Sequence, residues 1–295
     1  MALMSPSPAL ALPTTMWVVY RYLSTTSATS LDELVDAVCP PSVRSTGPGK
    51  GEATHVKAAL RTMTELGMAQ VDGSGVKLDE QLGKIRYSEF IATLRSRITA
   101  PETVLQLEGN DDRPGAADLV RALSWLMQQS PTDVLWWKQN VESRVGRDVF
   151  SNDTRWNGFQ PWALGLGFAE EATFGRGQSG IIANPTRVVI DAINHPYRVI
   201  WRKSEAMPVS EFVTLLLQEV PVMPGGNLAE NSMLPTAVEG LGAPLSFALL
   251  ALESRKLILM EHQSDAATVV QVTSADSVRF VRPVSHVTVL EKKHG

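Results

Sequence analysis

Apolar residues recur along this chain first at helical and then at strand spacing, in three separate stretches. In the first, Val56, Leu60, Met63 and Leu66 lie three or four apart, the spacing of one buried helix face. Gly67 ends that helix, residues 68–71 read as a strand, the Asp-Gly-Ser-Gly run at 72–75 as a reversal, and residues 76–78 as the return strand. In the second, Phe159, Trp162, Ala163 and Leu166 supply the apolar face, Gly167 the break, and residues 168–174 and 181–184 two strands around a glycine-rich turn at 175–180. In the third, Leu245, Leu249 and Leu252 form the face, residues 257–262 and 267–272 the strands, and Ser264 and Asp265 their turn.

The three stretches align with one another. Residues 65–71 correspond to 165–171 and to 254–260, at separations of 100 and 89 residues. Solenoid repeats are usually about 20 to 50 residues long, so this spacing predicts repeated domains joined by inserted helices. Helices also precede each stretch. Ser30 and Glu33 have the spacing of a capping box before a helix at 31–38, which Pro40 and Pro41 stop, and residues 17–23 form a helix before it. Residues 116–129 and 132–145 supply the corresponding pair in the second stretch; residues 210–219 and a weaker helix at 229–240 supply it in the third. Two helices, a third helix and a hairpin make the order of a winged helix, a variant of the helix-turn-helix. The expected fold is mainly α with small β-hairpin wings, an α+β chain of three tandem winged-helix-like domains joined by helical connectors at 82–98 and 185–193. The partition is a flexible N-terminus at 1–12, a first domain with its connector helix at 13–108, and further domains at 109–204 and 205–295.

Composition narrows the function classes. The 27 Lys plus Arg against 31 Asp plus Glu leave a net charge of -4, which excludes a chain that coats DNA over its whole surface and requires any nucleic-acid contact to come from local clustering. Divided by region, the net charge is +1 over residues 1–100, -2 over 101–207 and -3 over 208–295. The single cysteine, Cys39, excludes an internal disulfide framework and a multi-thiolate zinc site, and is read as a structural or incidental thiol of a cytoplasmic protein. The N-terminal apolar run lacks a basic leader and is broken by Pro13, and residues 245–260 carry Glu253, Arg255 and Lys256, so neither a signal peptide nor a membrane anchor is expected.

Chemistry-bearing motifs are sparse. Lys57 and Arg61 are one turn apart on the polar side of the first apolar-faced helix, beside His55 and after Lys50, where a winged helix approaches a major groove. An ordinary solvated face, which also carries Glu52 and Glu65, is the competing reading. Arg144, Arg147 and Arg155 surround the equivalent approach in the second domain, with Asp148 and Asp153 able to neutralise them, and Arg176 lies in the glycine-rich wing tip. Trp136, Trp137, Trp156 and Trp162 could stack on unpaired bases, but Trp162 falls on the apolar face and core packing is the better account. The Gly-Pro-Gly-Lys-Gly run at 47–51 lacks the spacing and the hydroxyl residue of a phosphate-binding loop. The five histidines have no metal-ligand spacing, and adjacent Asp111 and Asp112 define no acid–base pair. No cofactor, metal site or catalytic residue is expected.

The three helix-plus-hairpin segments, above all Leu245-Ser246-Phe247-Ala248-Leu249-Leu250, then Leu257-Ile258-Leu259-Met260-Glu261 and the ending Val284-Ser285-His286-Val287, resemble bacterial defence-island proteins of the DpdG type. These accompany the system that places 7-deazaguanine derivatives in DNA and restricts foreign DNA. The resemblance implies a non-catalytic role in the restriction or recognition arm. The expected partners are DNA, through the first domain, and other proteins of the defence complex, through the acidic third domain with its apolar helix. A protein-only scaffold and a transcription regulator are the alternatives, and self-association is left open.

Overall fold

The computed structural model describes residues 3–4, 11–44, 53–73, 75–100, 116–144, 149–174, 178–231, 241–274 and 279–291. Short antiparallel strand pairs punctuate a largely helical chain, which is an α+β fold. The chain forms two compact units, residues 1–118 with 154–165, and residues 119–153 with 166–295.

In the first unit, Pro13 opens α1 (Pro13–Leu23), where its missing N–H removes no helical bond, and Met16, Val19, Tyr20 and Leu23 turn inward. The expected capping box forms. Ser30 Oγ accepts from Glu33 N–H at 3.2 Å and Glu33 Oε2 accepts from Ser30 N–H at 2.9 Å at the start of α2 (Leu31–Val38). Then come α3 (Thr54–Glu65), β1 (Ala69–Asp72), β2 (Gly75–Leu78) and α4 (Tyr87–Ile98), with α1 packed against α2, α3 and α4. Val56, Leu60 and Met63 of α3 are buried as their spacing required. Between α1 and α2, Thr29 pairs with Val76 of β2, exchanging N–H···O bonds of 3.1 and 2.7 Å. Gly75 makes this approach feasible: its φ is +117°, and a Cβ there would stand 2.6 Å from Thr29 O.

The second segment repeats this order. After α5 (Ala116–Leu126), a π-helical turn (Trp137–Val141) and a short turn (Glu142–Arg144) precede α6 (Asp153–Leu166), β3 (Ala169–Phe174) and β4 (Gln178–Ala183). The helix expected at 132–145 is therefore much shorter. Asn140 bonds both the N–H of Trp136, at 2.7 Å, and the carbonyl of Val134, side-chain bonds that compete with helical ones. Leu135 is left extended and pairs with Ile181 of β4. Here too a glycine precedes the bridged residue, and a Cβ on Gly180 would meet Leu135 O at 2.9 Å. Gln178, Ser179 and Gly180, expected in the turn, already pair with Phe174, Thr173 and Ala172, because backbone pairing continues to the tip once the strands are in register. Residues 175–177 lie outside the described set.

The third segment departs most from expectation. It contains α7 (Thr186–Asn194), β5 (Ala206–Pro208), α8 (Val209–Glu219), α9 (Asn227–Asn231) and α10 (Ala243–Ser254), then β6 (Ile258–Glu261), β7 (Val270–Thr273), β8 (Phe280–Val284) and β9 (His286–Val289). The weaker helix placed at 229–240 starts earlier, as α9, and residues 232–240 lie outside the described set. β6 and β7 do not pair with each other: β6 pairs with β9 in the sheet β5-β9-β6, and β7 with β8. The result is a nested ribbon, with Ser264 and Asp265 in the connection between its outer and inner halves. Ser285, almost fully buried, joins the halves by accepting from Gln263 N–H at 2.9 Å while its own N–H donates to Glu261 O at 2.8 Å.

The sequence alignment of the three segments has a backbone counterpart. Gly67, Gly167 and Lys256 occupy equivalent positions after α3, α6 and α10, and all have left-handed φ, +65°, +84° and +56°. The amides of Met68 and Leu257 reach back to Met63 O and Leu252 O at 2.7 and 3.0 Å, closing α3 and α10 in the same way. Leu3 and Met4, inside the span expected to be a flexible end, are buried, and Leu3 O accepts a 3.0 Å bond from Trp162 Nε1.

Candidate nucleic-acid interface

The three segments differ in what their third helices expose. In α3, Thr54, His55, Lys57, Arg61, Thr64 and Glu65 are exposed opposite buried Val56, Ala59, Leu60 and Met63. Thr54, Lys57 and Arg61 follow one another at spacings of three and four, so they form one outward stripe, with Lys57 and Arg61 about 6 Å apart along the axis. The first turn of α3 contains no acidic residue, and Ala53 before it provides no side-chain cap. That end of the helix thus presents positive partial charge beside His55. Arg61 Nε lies 2.9 Å from Glu65 Oε1, an exposed pair that contributes little to stability and is readily exchanged for another anion.

In α10 the equivalent face is covered, and in α6 it is exposed only at its start and is not basic: Thr154 and Asn157 stand at the positions of Thr54 and Lys57, and Pro161 at that of Arg61. From Gly158 to Leu166 no residue of α6 is exposed, and from Ala243 to Glu253 none of α10 is. Trp156, Phe159, Trp162 and Ala163 are core, and so are Leu245, Leu249 and Leu252, the apolar helix expected to serve partner docking. α10 packs on α7, β6 and β7.

Of the other cations chosen from the sequence, Arg144 and Arg155 are among the described residues. Arg144 Nη1 pairs with Asp133 Oδ2 at 2.7 Å, a carboxylate 11 residues away, so its charge is engaged locally. Arg155 is half-buried in the first turn of α6. Lys50, Arg147 and Arg176 lie outside the described residues. Trp136 and Trp137 are half-buried at the start of the π-helical turn. Lys77 was missed: it stands on β2 with Asp72 Oδ2 at 3.6 Å, on the hairpin that follows α3. The two bridges, Thr29 to Val76 and Leu135 to Ile181, were missed as well, although a Gly followed by a β-branched residue in each return strand is a readable mark of them.

Among the described residues, no three His, Cys, Asp or Glu side chains gather into a metal-holding group, and no helix is long and apolar enough to cross a membrane. A family model described as DpdG-like matches residues 1–266. No curated protein and no solved structure matches the chain.

Proposed function

The chain belongs to the DpdG-like family, which associates it with the deazaguanine DNA-modification system, and from that premise we propose a non-catalytic, cytoplasmic, DNA-associated subunit of a bacterial modification–restriction defence complex. In this reading the first segment is a winged helix. Its order is α1, the bridged residue Thr29, α2, α3 and the β1–β2 hairpin, with α3 as the groove-facing helix and the hairpin as the wing. The other two segments are variants of the same design whose third helices expose no basic side chain.

One observation carries the proposal: of the three equivalent helices, α3 alone exposes basic side chains, Lys57 and Arg61, one turn apart on the same stripe. Such a face neutralises backbone phosphates and releases counterions, so binding falls steeply with salt, each phosphate contact adding about 0.9 to the slope of log affinity against log salt.

The test is fluorescence anisotropy of the full chain on duplex DNA over a salt series. Lys57→Ala with Arg61→Ala should weaken binding and reduce the slope by about two. Glu65→Gln, which releases Arg61 from its carboxylate, should tighten binding a few-fold. Unchanged affinity and slope in the double variant would reject α3 as the interface. DNA binding absent from the wild-type chain would instead favour the protein-only scaffold that its acidic balance also allows.

A further inference from the structure

Away from α3, the loop between α7 and β5 displays the most exposed large hydrophobic side chain among the described residues. Ile200 is 89% exposed, and Tyr197 beside it is 54% exposed. The loop around them is firmly held. Glu219 Oε1, at the end of α8, accepts the N–H groups of Tyr197 at 2.8 Å, of Val199 at 2.7 Å and of Arg198. Val199 and Trp201, on either side of Ile200, are buried; Trp201 Nε1 donates to Ala192 O at 2.8 Å and its ring lies 5.2 Å from that of Phe212. At the far end, Ser204 N–H donates to Val289 O at 2.8 Å. With both neighbours anchored inward, Ile200 has no route into the core. A preorganised apolar projection of this kind loses little conformational freedom on association, as an interface anchor requires.

The charges around it select the kind of partner. Arg198, Arg202 and Lys203 are matched by Glu205, Glu211 and Glu219; Arg202 pairs with Glu211, and Arg198 Nη1 donates to Glu219 O at 3.2 Å. A rim with equal numbers of both signs does not suit a polyanion. It does suit a copy of itself, because a two-fold axis brings each patch against its own image and can set Lys203 of one copy against Glu205 of the other. Both of these residues are exposed, and β5, which follows directly, is an edge strand paired on one side only, with β9.

We propose that the loop at 197–205 is a self-association surface through which two copies of this chain meet about a two-fold axis, with Ile200 and Tyr197 at its centre and Lys203 and Glu205 at its rim. The proposal is independent of the DNA reading.

Sedimentation velocity on the full chain without DNA, from low micromolar to near-millimolar concentration, tests it. The wild type should show a concentration-dependent monomer–dimer equilibrium. Ile200→Glu should raise the dissociation constant about tenfold or more with an unchanged circular dichroism spectrum, because Ile200 makes no core contact. Lys203→Glu and Glu205→Lys should each weaken the dimer, and the two together should restore it by exchanging the charges across the axis. A wild type that stays monomeric throughout, or an Ile200→Glu variant that dimerises like the wild type, would overturn the surface. Failure of the double reversal to restore the dimer would overturn the two-fold pairing.

Discussion

Glu33 illustrates how one side chain joins local and distant structure. Its carboxylate accepts from the Ser30 backbone N–H and from Thr29 Oγ1 at 2.9 and 3.0 Å, and Thr29 in turn pairs through its backbone with Val76 of β2. The Ser30 amide first, then the Thr29 and Ser30 hydroxyls, hold the Glu33 carboxyl below the usual carboxylate value. Because its folded value is depressed, its stabilising contribution is present above the unfolded value and disappears as pH falls through the folded one. Hydrogen-exchange protection of the first α2 amides, corrected for intrinsic exchange, should therefore decline on acidification below the ordinary glutamate range. Glu33→Gln should remove most of that dependence. The Ser30–Glu33 box was legible because both partners lie within one helical turn; the Thr29–Val76 bridge and the Arg144–Asp133 pair were not, because chain folding rather than spacing brings those groups together.

At the scale of elements, short-range periodicity identified the buried helix faces but not all the strand partners. Val56, Leu60 and Met63, and likewise Leu245, Leu249 and Leu252, are inside as their spacing required. In the third segment, the strands read at 257–262 and 267–272 form at 258–261 and 270–273 but do not pair with each other as expected, since alternation states which face is buried and says nothing about which strand lies alongside. The bridges behind the first two hairpins rest on a close backbone approach. Gly75→Ala should destabilise the first unit by about 1–3 kcal/mol, from the cost of a left-handed non-glycine residue together with the clash at Thr29 O. Gly73→Ala, two residues away with nothing within 4 Å of the added methyl, should stay within about 0.5 kcal/mol of wild type. Thermal unfolding of the two variants side by side measures the difference.

At the scale of the whole molecule, the first compact unit is discontinuous in sequence: residues 154–165, most of α6, belong with residues 1–118. Trp162 donates to Leu3 O, a Cβ on Gly158 would stand 2.6 Å from Met4 O, and one on Gly165 would stand 2.8 Å from the Pro13 ring. A fragment of residues 1–118 should thus expose the surface that α6 covers, melt below the full chain and bind a hydrophobic dye such as ANS. A fragment melting like the full chain, with no dye binding, would show that α6 is dispensable to this unit. The sequence by itself determined the first two helix-plus-hairpin segments, the third helix with the strand that follows it, their alignment around the end of each third helix, and the basic stripe of α3, because periodicity, capping and helix closure act over a few residues. Only the tertiary structure decided that α10 is covered while α3 is open, that α6 completes the unit begun by α1, and that Ile200 projects outward, because burial depends on which distant segments come to rest against each face.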